Sequence, residues 1–154
     1  MKLLPGKILL AIDGEPHTEA AVTWALRLAG ALQTGVVALH VADPYLEQFA
    51  DDLYAQGRQA YRDHLQRCLA ESAAAAVAAF ERKAKESGVA CEIKIRDGAL
   101  IAELLSEVAE GDYALLVLGQ RSRTGVRLSL DRKLSDKVAA SSPGIAILVV
   151  PEGN

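Results

Sequence analysis

The sequence predicts an α/β fold, a single-domain, mainly parallel five-stranded sheet with helices on both faces, and three observations carry that prediction. Short apolar runs alternate with longer segments of helical periodicity along the 154 residues. The first run is nearly continuous in apolar character, as a strand buried on both faces requires. The turn signals Asp13-Gly14, Asp43-Pro44 and Asp97-Gly98 close the runs they follow. Alternation at this spacing demands right-handed crossovers, which put helices on the two faces of the sheet. The length suits one domain, residues 1–154, with a substantial core. Hydrophobic residues at 51% exclude disorder as the general state, and 24% charged residues make an ordinary solvated surface.

Lys7 to Ile12 forms the first strand and stops at Asp13-Gly14. A helix follows over Thr18 to Leu32, where Ala21, Trp24, Ala25 and Leu28 recur at spacings of three and four and so share one face. Pro16 suits the approach to its first turn, and Gly35 marks its exit. Val36 to Val41 is a second buried strand, ending at Ala42-Asp43-Pro44. A long helical region from about Leu53 to Ser87 has an early break point at Gly57 and a core of high helix propensity in Ala73 to Ala79. Gly88 takes the position of a C-terminal glycine cap. Ala90 to Ile95 is the third strand, with Cys91, Ile93 and Ile95 on one side. Arg96-Asp97-Gly98 turns the chain into a helix over Ala99 to Glu110, and Tyr113 to Leu118 is the fourth strand. A helix from about Ser129 to Ala140 precedes the fifth strand, Ile145 to Val150.

In such a sheet the ligand crevice lies beyond the carboxyl ends of the strands, where strand order reverses. Three loops converge there: Asp13 to Thr18, Ala42 to Tyr45, and Gly119 to Gly125. The last belongs to LLVLGQRSRTGV, Leu115 to Val126, in which an apolar strand runs into a loop that opens a helix. Unpartnered N–H groups and the helix dipole favour an anion at such a start, glycines allow a tight turn, and Arg121 and Arg123 add positive charge. Opposite them, Asp13 can accept hydrogen bonds from a ligand amine or hydroxyl, and the Val41 backbone can meet the edge of a flat ring.

The segments KILLAIDGEPHTEAAVTWALRLA, LHVADP, the RDG turn and the blocks LLVLGQRSRTGV and PGIAILVV, in this order and spacing, resemble the UspA-like universal stress protein family. The resemblance covers almost the whole chain. It implies strand order 3-2-1-4-5, an adenine-nucleotide α-hydrolase-like fold, a homodimer formed through Ile145 to Val150, and ATP or AMP as ligand, with Mg2+ accompanying ATP. It assigns Asp13 and the Val41 backbone to the adenine, Gly119 and the loop to Gly125, with Arg121 and Ser122, to ribose and the first phosphates, and counts Ala11 among the nucleotide-binding residues. The family pattern G-x-x-G-x9-G-S/T then places its second glycine on Ser122 and its final pair on Arg132 and Lys133. Serine at the second position restricts positive φ but keeps a donor hydroxyl. Two long cations at the final pair either fill the phosphate pocket or reach in to neutralise a phosphate.

Two functions follow from those alternatives: a small regulatory stress-response protein that binds an adenine nucleotide, or a nucleotide-independent dimer whose phosphate site is filled by Arg132 and Lys133 and which engages an unidentified protein partner. An enzyme of the related nucleotide-transfer classes is disfavoured, because the chain lacks their glycine-histidine signatures. No catalytic residue is assigned: there is no clear base, no Walker lysine-hydroxyl pair and no carboxylate pair for Mg2+, so the expectation is at most slow ATP hydrolysis.

The remaining residues take plainer roles. His17 reads as a solvated first-turn residue, His40 as a hydrogen-bonded core residue and His64 as exposed, with no spacing for a metal site. Cys68 and Cys91, without a CxxC pattern, read as ordinary buried thiols. Tyr45, Phe49, Tyr54 and Tyr61 form a packing patch, and the cations Arg58, Arg62, Arg67, Arg82, Lys83 and Lys85 a solvated helix face. The net charge of −3 argues against a general nucleic-acid partner. No signal peptide is apparent and no apolar run approaches the roughly 20 residues of a membrane span, so no membrane partner and a cytoplasmic location are expected.

Overall fold

The computed structural model describes residues 4–13, 18–42, 58–120, 136–141 and 144–152. In chain order these form β1 (Lys7–Ala11), α1 (Glu19–Ala31), β2 (Val36–Ala42), α2 (Arg58–Ser87), β3 (Cys91–Asp97), α3 (Leu100–Glu110), β4 (Tyr113–Gln120) and β5 (Ala146–Pro151). Residues 136–140 add a helical turn before β5. The five strands make one sheet in the order β3-β2-β1-β4-β5, and every neighbouring pair is parallel, as expected.

The central strand explains the layering. Ile8, Leu9 and Leu10 of β1 are 0% exposed, so both faces of the sheet must be covered. On one face, Ile8 and Leu10 pack with Ala21, Val22, Ala25, Leu26 and Ala29 of α1 and with Ala76 and Phe80 of α2. The alanines of α1 let its backbone lie close to the strands. On the other, Leu9 packs with Val37, Leu39 and Val41 of β2, Leu104 and Val108 of α3, and Val138. Each fully buried leucine contributes about 1.5–3 kcal/mol relative to exposure. The 30-residue α2 is about 45 Å long against roughly 23 Å for a seven-residue strand, and among the described residues those it commits to the core, Ala76, Phe80 and Ala84, lie in its C-terminal half.

Several sequence expectations shift in three dimensions. β3 continues through Arg96 and Asp97, because those residues pair with Val41 and Ala42 of β2. β4 continues through Gly119 and Gln120, paired with Val150 and Pro151, so Gly119 is a strand residue and not the first residue of the loop. Trp24 does not join Ala21 and Ala25 in the core but is 53% exposed. Neither cysteine is buried: Cys91 lies exposed on edge strand β3, and Cys68 is half-buried, its Sγ 3.6 Å from the Nε2 of a half-buried His64. Lys83 leaves the solvated face to bind α1. Tyr45, Phe49 and Tyr54 lie outside the described residues, as do His17 and the first part of the helix expected from Ser129.

Gly88 caps α2 with φ +72°, in the position expected of it. The second glycine turn governs the rim of the sheet. Gly98 has φ +141°, and its N–H donates to the Ala42 carbonyl at 3.1 Å, fastening the end of β2 to the start of α3. A Cβ there would stand 2.8 Å from Glu103 Oε1. Gly98→Ala is therefore expected to destabilise the protein by about 1–3 kcal/mol, measured by urea unfolding, with an unchanged far-ultraviolet dichroism spectrum.

Candidate functional site

The reversal of strand order falls between β1 and β4, whose carboxyl ends open on the same edge of the sheet. Ala11 closes β1 and Asp13 follows two residues later, both half-buried. Pairing of β1 with β2 runs to Ala11↔Leu39 and finishes with the Ile12 N–H donating to the Leu39 carbonyl at 2.9 Å. Backbone groups alternate in direction along a strand, so the Val41 N–H and C=O face the same side as those of Leu39, toward β1, beyond the last pair of the ladder. The Val41 side chain is buried among the α3-side core. Its main chain is thus offered at the crevice while its side chain is locked.

His40 holds the neighbouring corner. It is 4% exposed, and its Nδ1 lies 3.0 Å from the Ile12 carbonyl. A carbonyl can only accept, so Nδ1 carries the proton. This bond ties the β1 exit, one residue before Asp13, to β2 next to Val41. The core role expected of His40 holds, and its partner adds a positioning role. From the β4 side, the register Leu10↔Val117 carried two residues further sets Ile12 level with Gly119. Gly119 is half-buried, and the Gln120 carbonyl accepts the Glu152 N–H at 2.9 Å, so β5 braces β4 to its end.

The rim beside Val41 is supported by charge. On the α3 face of β3 the alternating residues are Glu92, Lys94 and Arg96, and α3 presents Glu103, Glu107 and Glu110 to them. Arg96 donates to Glu103 at 3.0 Å through Nη1, to Glu107 at 3.1 Å through Nε, and also to Glu110. Lys94 Nζ and the Tyr113 hydroxyl donate to Glu107 Oε2 at 3.2 and 2.7 Å. Burial alone would raise the pKa of Glu107, whose side chain is 4% exposed. The hydrogen bonds from Tyr113, Lys94 and Arg96 outweigh it and hold this carboxyl below its ordinary range. Tyr113 moves the other way, its hydroxyl pushed up by burial and by the neighbouring Glu107 carboxylate. Arg96 is raised, first through Glu103.

Of the expected site residues, the structure gathers Ala11, Asp13, Val41 and Gly119 at the carboxyl edge of β1, β2 and β4. Arg121, Ser122, Gly125, Arg132 and Lys133 lie outside the described residues. The Arg96 cluster was not read from the sequence. Its signal is there: charges on alternate residues of β3 and acids spaced four and three apart on the next helix, two patterns that match only when β3 and α3 are stacked.

An open parallel α/β sheet of this order, with its strand order reversing between β1 and β4, belongs to the doubly wound class, and the adenine-nucleotide α-hydrolase-like folds are built on this plan. The sequence profile of the Universal stress protein family matches residues 5–151, and the chain belongs to that family. Among curated proteins none matches it in sequence. The solved universal stress protein UspA from Lactobacillus plantarum superposes with a TM-score of 0.72 at 17% identity, over 96% of this chain and 98% of that one. A family member from Arabidopsis thaliana with AMP bound gives 0.65 at 19% identity, over 97% and 93% of the two chains. The universal stress protein from Archaeoglobus fulgidus in complex with dAMP gives 0.57 at 14%, over 97% and 99%. At these identities the likeness extends to the fold. Among the described residues no helix is long and apolar enough to cross a membrane.

The lowered pKa of Glu107 sets a pH dependence. A carboxylate that is more acidic folded than unfolded adds stability above the unfolded value, near 4.3 for glutamate, and this is lost as pH falls through the folded value. Melting temperature is therefore expected to drop on acidification below about pH 4. Glu107→Gln, already lacking the charge, should start lower at neutral pH and fall less over that range.

Proposed function

We propose that this protein is a small cytoplasmic regulatory protein of the stress response that binds an adenine nucleotide, AMP or ATP, as a sensing or structural ligand. The observation that carries the reading is the direction of the Val41 main chain. Its N–H and C=O face the space beyond the β1–β2 ladder, next to Asp13, where the edge of a purine needs one acceptor and one donor. Asp13 would accept from an exocyclic amine or a ribose hydroxyl, Ala11 would leave room for the ring, and Gly119 would let the ribose approach β4. Arg121, Ser122 and Gly125 are assigned to ribose and phosphate by the sequence pattern, with Arg132 or Lys133 meeting any further phosphate. The AMP and dAMP carried by the two relatives support the class of ligand. With ATP, Mg2+ would supply charge neutralisation at the β- and γ-phosphates.

A second reading rests on Arg132 and Lys133 themselves. If these cations fill the phosphate pocket, the protein acts without nucleotide, through a protein partner. We also propose a homodimer paired antiparallel through β5, the last strand of the sheet, whose outer backbone edge pairs with no other strand among the described residues.

Denaturing the purified protein and measuring adenine absorbance in the supernatant, with thermal-shift titrations of AMP, ADP and ATP, separates the readings. A ligand at 100 times its Kd should stabilise by about 2.7 kcal/mol and raise Tm by several degrees. Asp13→Ala should abolish the shift. No released adenine and no shift with any of the three would leave the partner-binding reading. Sedimentation at micromolar concentration should give a dimer mass, and a monomer there would remove the β5 pairing.

A further inference from the structure

Trp24 is the protein's single tryptophan and is 53% exposed, although it stands in mid-helix between Ala20 and Leu28, both of which pack against the core. Its direction follows from α1. Glu19 and Val22 line a cavity with Ala76, Ala79 and Phe80 of α2, and Lys83 of α2 donates to the Glu19 carbonyl and to Thr23 Oγ1, each at 3.2 Å. That flank faces α2. At about 100° per residue, Trp24 projects from the opposite flank. Because α1 lies over β1, β4 and β5 while α2 lies over β2 and β3, the Trp24 flank looks toward the β5 edge.

The two edges of the sheet differ. β3 is guarded by Glu92, Lys94, Arg96 and Asp97, whereas β5, AILVVP, carries no charge. Glu152 N–H points inward to Gln120, so alternation turns the N–H and C=O of Ile147 and Val149 outward. Pro151 also takes an outward position, where its missing N–H removes nothing from the ladder to β4.

We propose that Trp24 anchors a second layer of contact between two copies of this chain, laid over an antiparallel β5–β5 seam. The inference rests on the β5 dimer proposed above and adds to it a contact that the strands alone do not make. Antiparallel pairing of identical edges places the two-fold axis perpendicular to the sheet, so both α1 helices stand on the same face. With each α1 centred over β4, their axes lie three strand spacings apart, about 14 Å. Helices in direct contact lie about 8–10 Å apart, so a gap of roughly 4–6 Å runs above the seam. Small side chains leave it open to water. One indole from each copy fills it, and a half-exposed tryptophan beside an uncharged apolar edge strand is the side chain that such a gap requires.

The test follows oligomeric state by sedimentation and the environment of Trp24 by emission and acrylamide quenching, across a dilution series. The wild type should show a blue-shifted, poorly quenched tryptophan as a dimer and a red-shifted, readily quenched one on dilution, with the same midpoint as dissociation. Trp24→Ala should weaken the dimer about tenfold or more while leaving the dichroism spectrum of the monomer unchanged, and Trp24→Phe should restore part of the loss. Val149→Pro, which removes an outward N–H, should give a folded monomer with an exposed Trp24. A dimer whose Trp24 stays fully quenchable, and whose dissociation constant is unaltered in Trp24→Ala, would overturn the tryptophan layer and leave the β5 seam standing. A dimer that survives Val149→Pro but not Trp24→Ala would place Trp24 in some other interface and overturn this geometry. A wild-type monomer at every concentration would remove both.

Discussion

Everything in this structure follows from the burial of β1 on both of its faces. Three consecutive residues with no exposure, Ile8, Leu9 and Leu10, cannot be covered by a single layer of helices, so α1 and α2 are drawn to one side and α3 with the turn around Val138 to the other. Parallel pairing on both flanks of β1 then sends the chain in opposite directions from one strand. Among the described residues, α1, which follows β1, lies on one face, and the helical turn at 136–140, which comes after β4, lies on the other. The carboxyl edge where β1 and β4 meet is thus a geometric consequence of a buried central strand.

What sharpens the crevice is a set of polar fasteners around a fixed apolar frame. The Nδ1 bond of His40 to Ile12 joins the exits of β1 and β2, and the Gly98 bond to Ala42 joins β2 to the α3 turn. Behind them, Glu107 receives Tyr113, Lys94 and Arg96. A carboxylate this deeply placed is tolerated because three donors reach it; without them its desolvation would dominate. The same charges serve the outer edge of β3, where they oppose pairing with another chain. Edge β5 carries no such charges, so the two edges of the sheet differ in kind.

Much of the fold was legible because its cause is local and repeated. Apolar runs of strand length, alanine-rich helical segments, Gly88 and the Asp97-Gly98 turn mark the five strands, α1, α3 and the end of α2 to within one or two residues. Pairing carries two strands past the ends that their apolar runs mark: Arg96 and Asp97 belong to β3, and Gly119 and Gln120 to β4, because a neighbouring strand runs alongside, and a neighbour is not visible in a one-dimensional pattern. Trp24 departs from the apolar face of α1 for a related reason. Helical spacing puts it close to the buried stripe, but the stripe's width is set by how the sheet ends beneath α1. The position of Asp13, Val41 and Gly119 at the strand ends was legible in the sequence, while the orientation of the Val41 main chain and the contacts of His40 and Arg96 were not.

The amino-acid sequence alone determined the order and kind of the elements, the parallel character of the sheet and the family to which the chain belongs, because periodicity and turn chemistry act over a few residues. Tertiary structure decided which groups face the crevice, which edge of the sheet is guarded and which apolar side chain is left in water. Those outcomes depend on the stacking of segments far apart in the chain, Ile12 on His40, Arg96 on Glu107 and α1 over β5. A side chain's environment is the sum of such encounters, and spacing along the chain does not specify them.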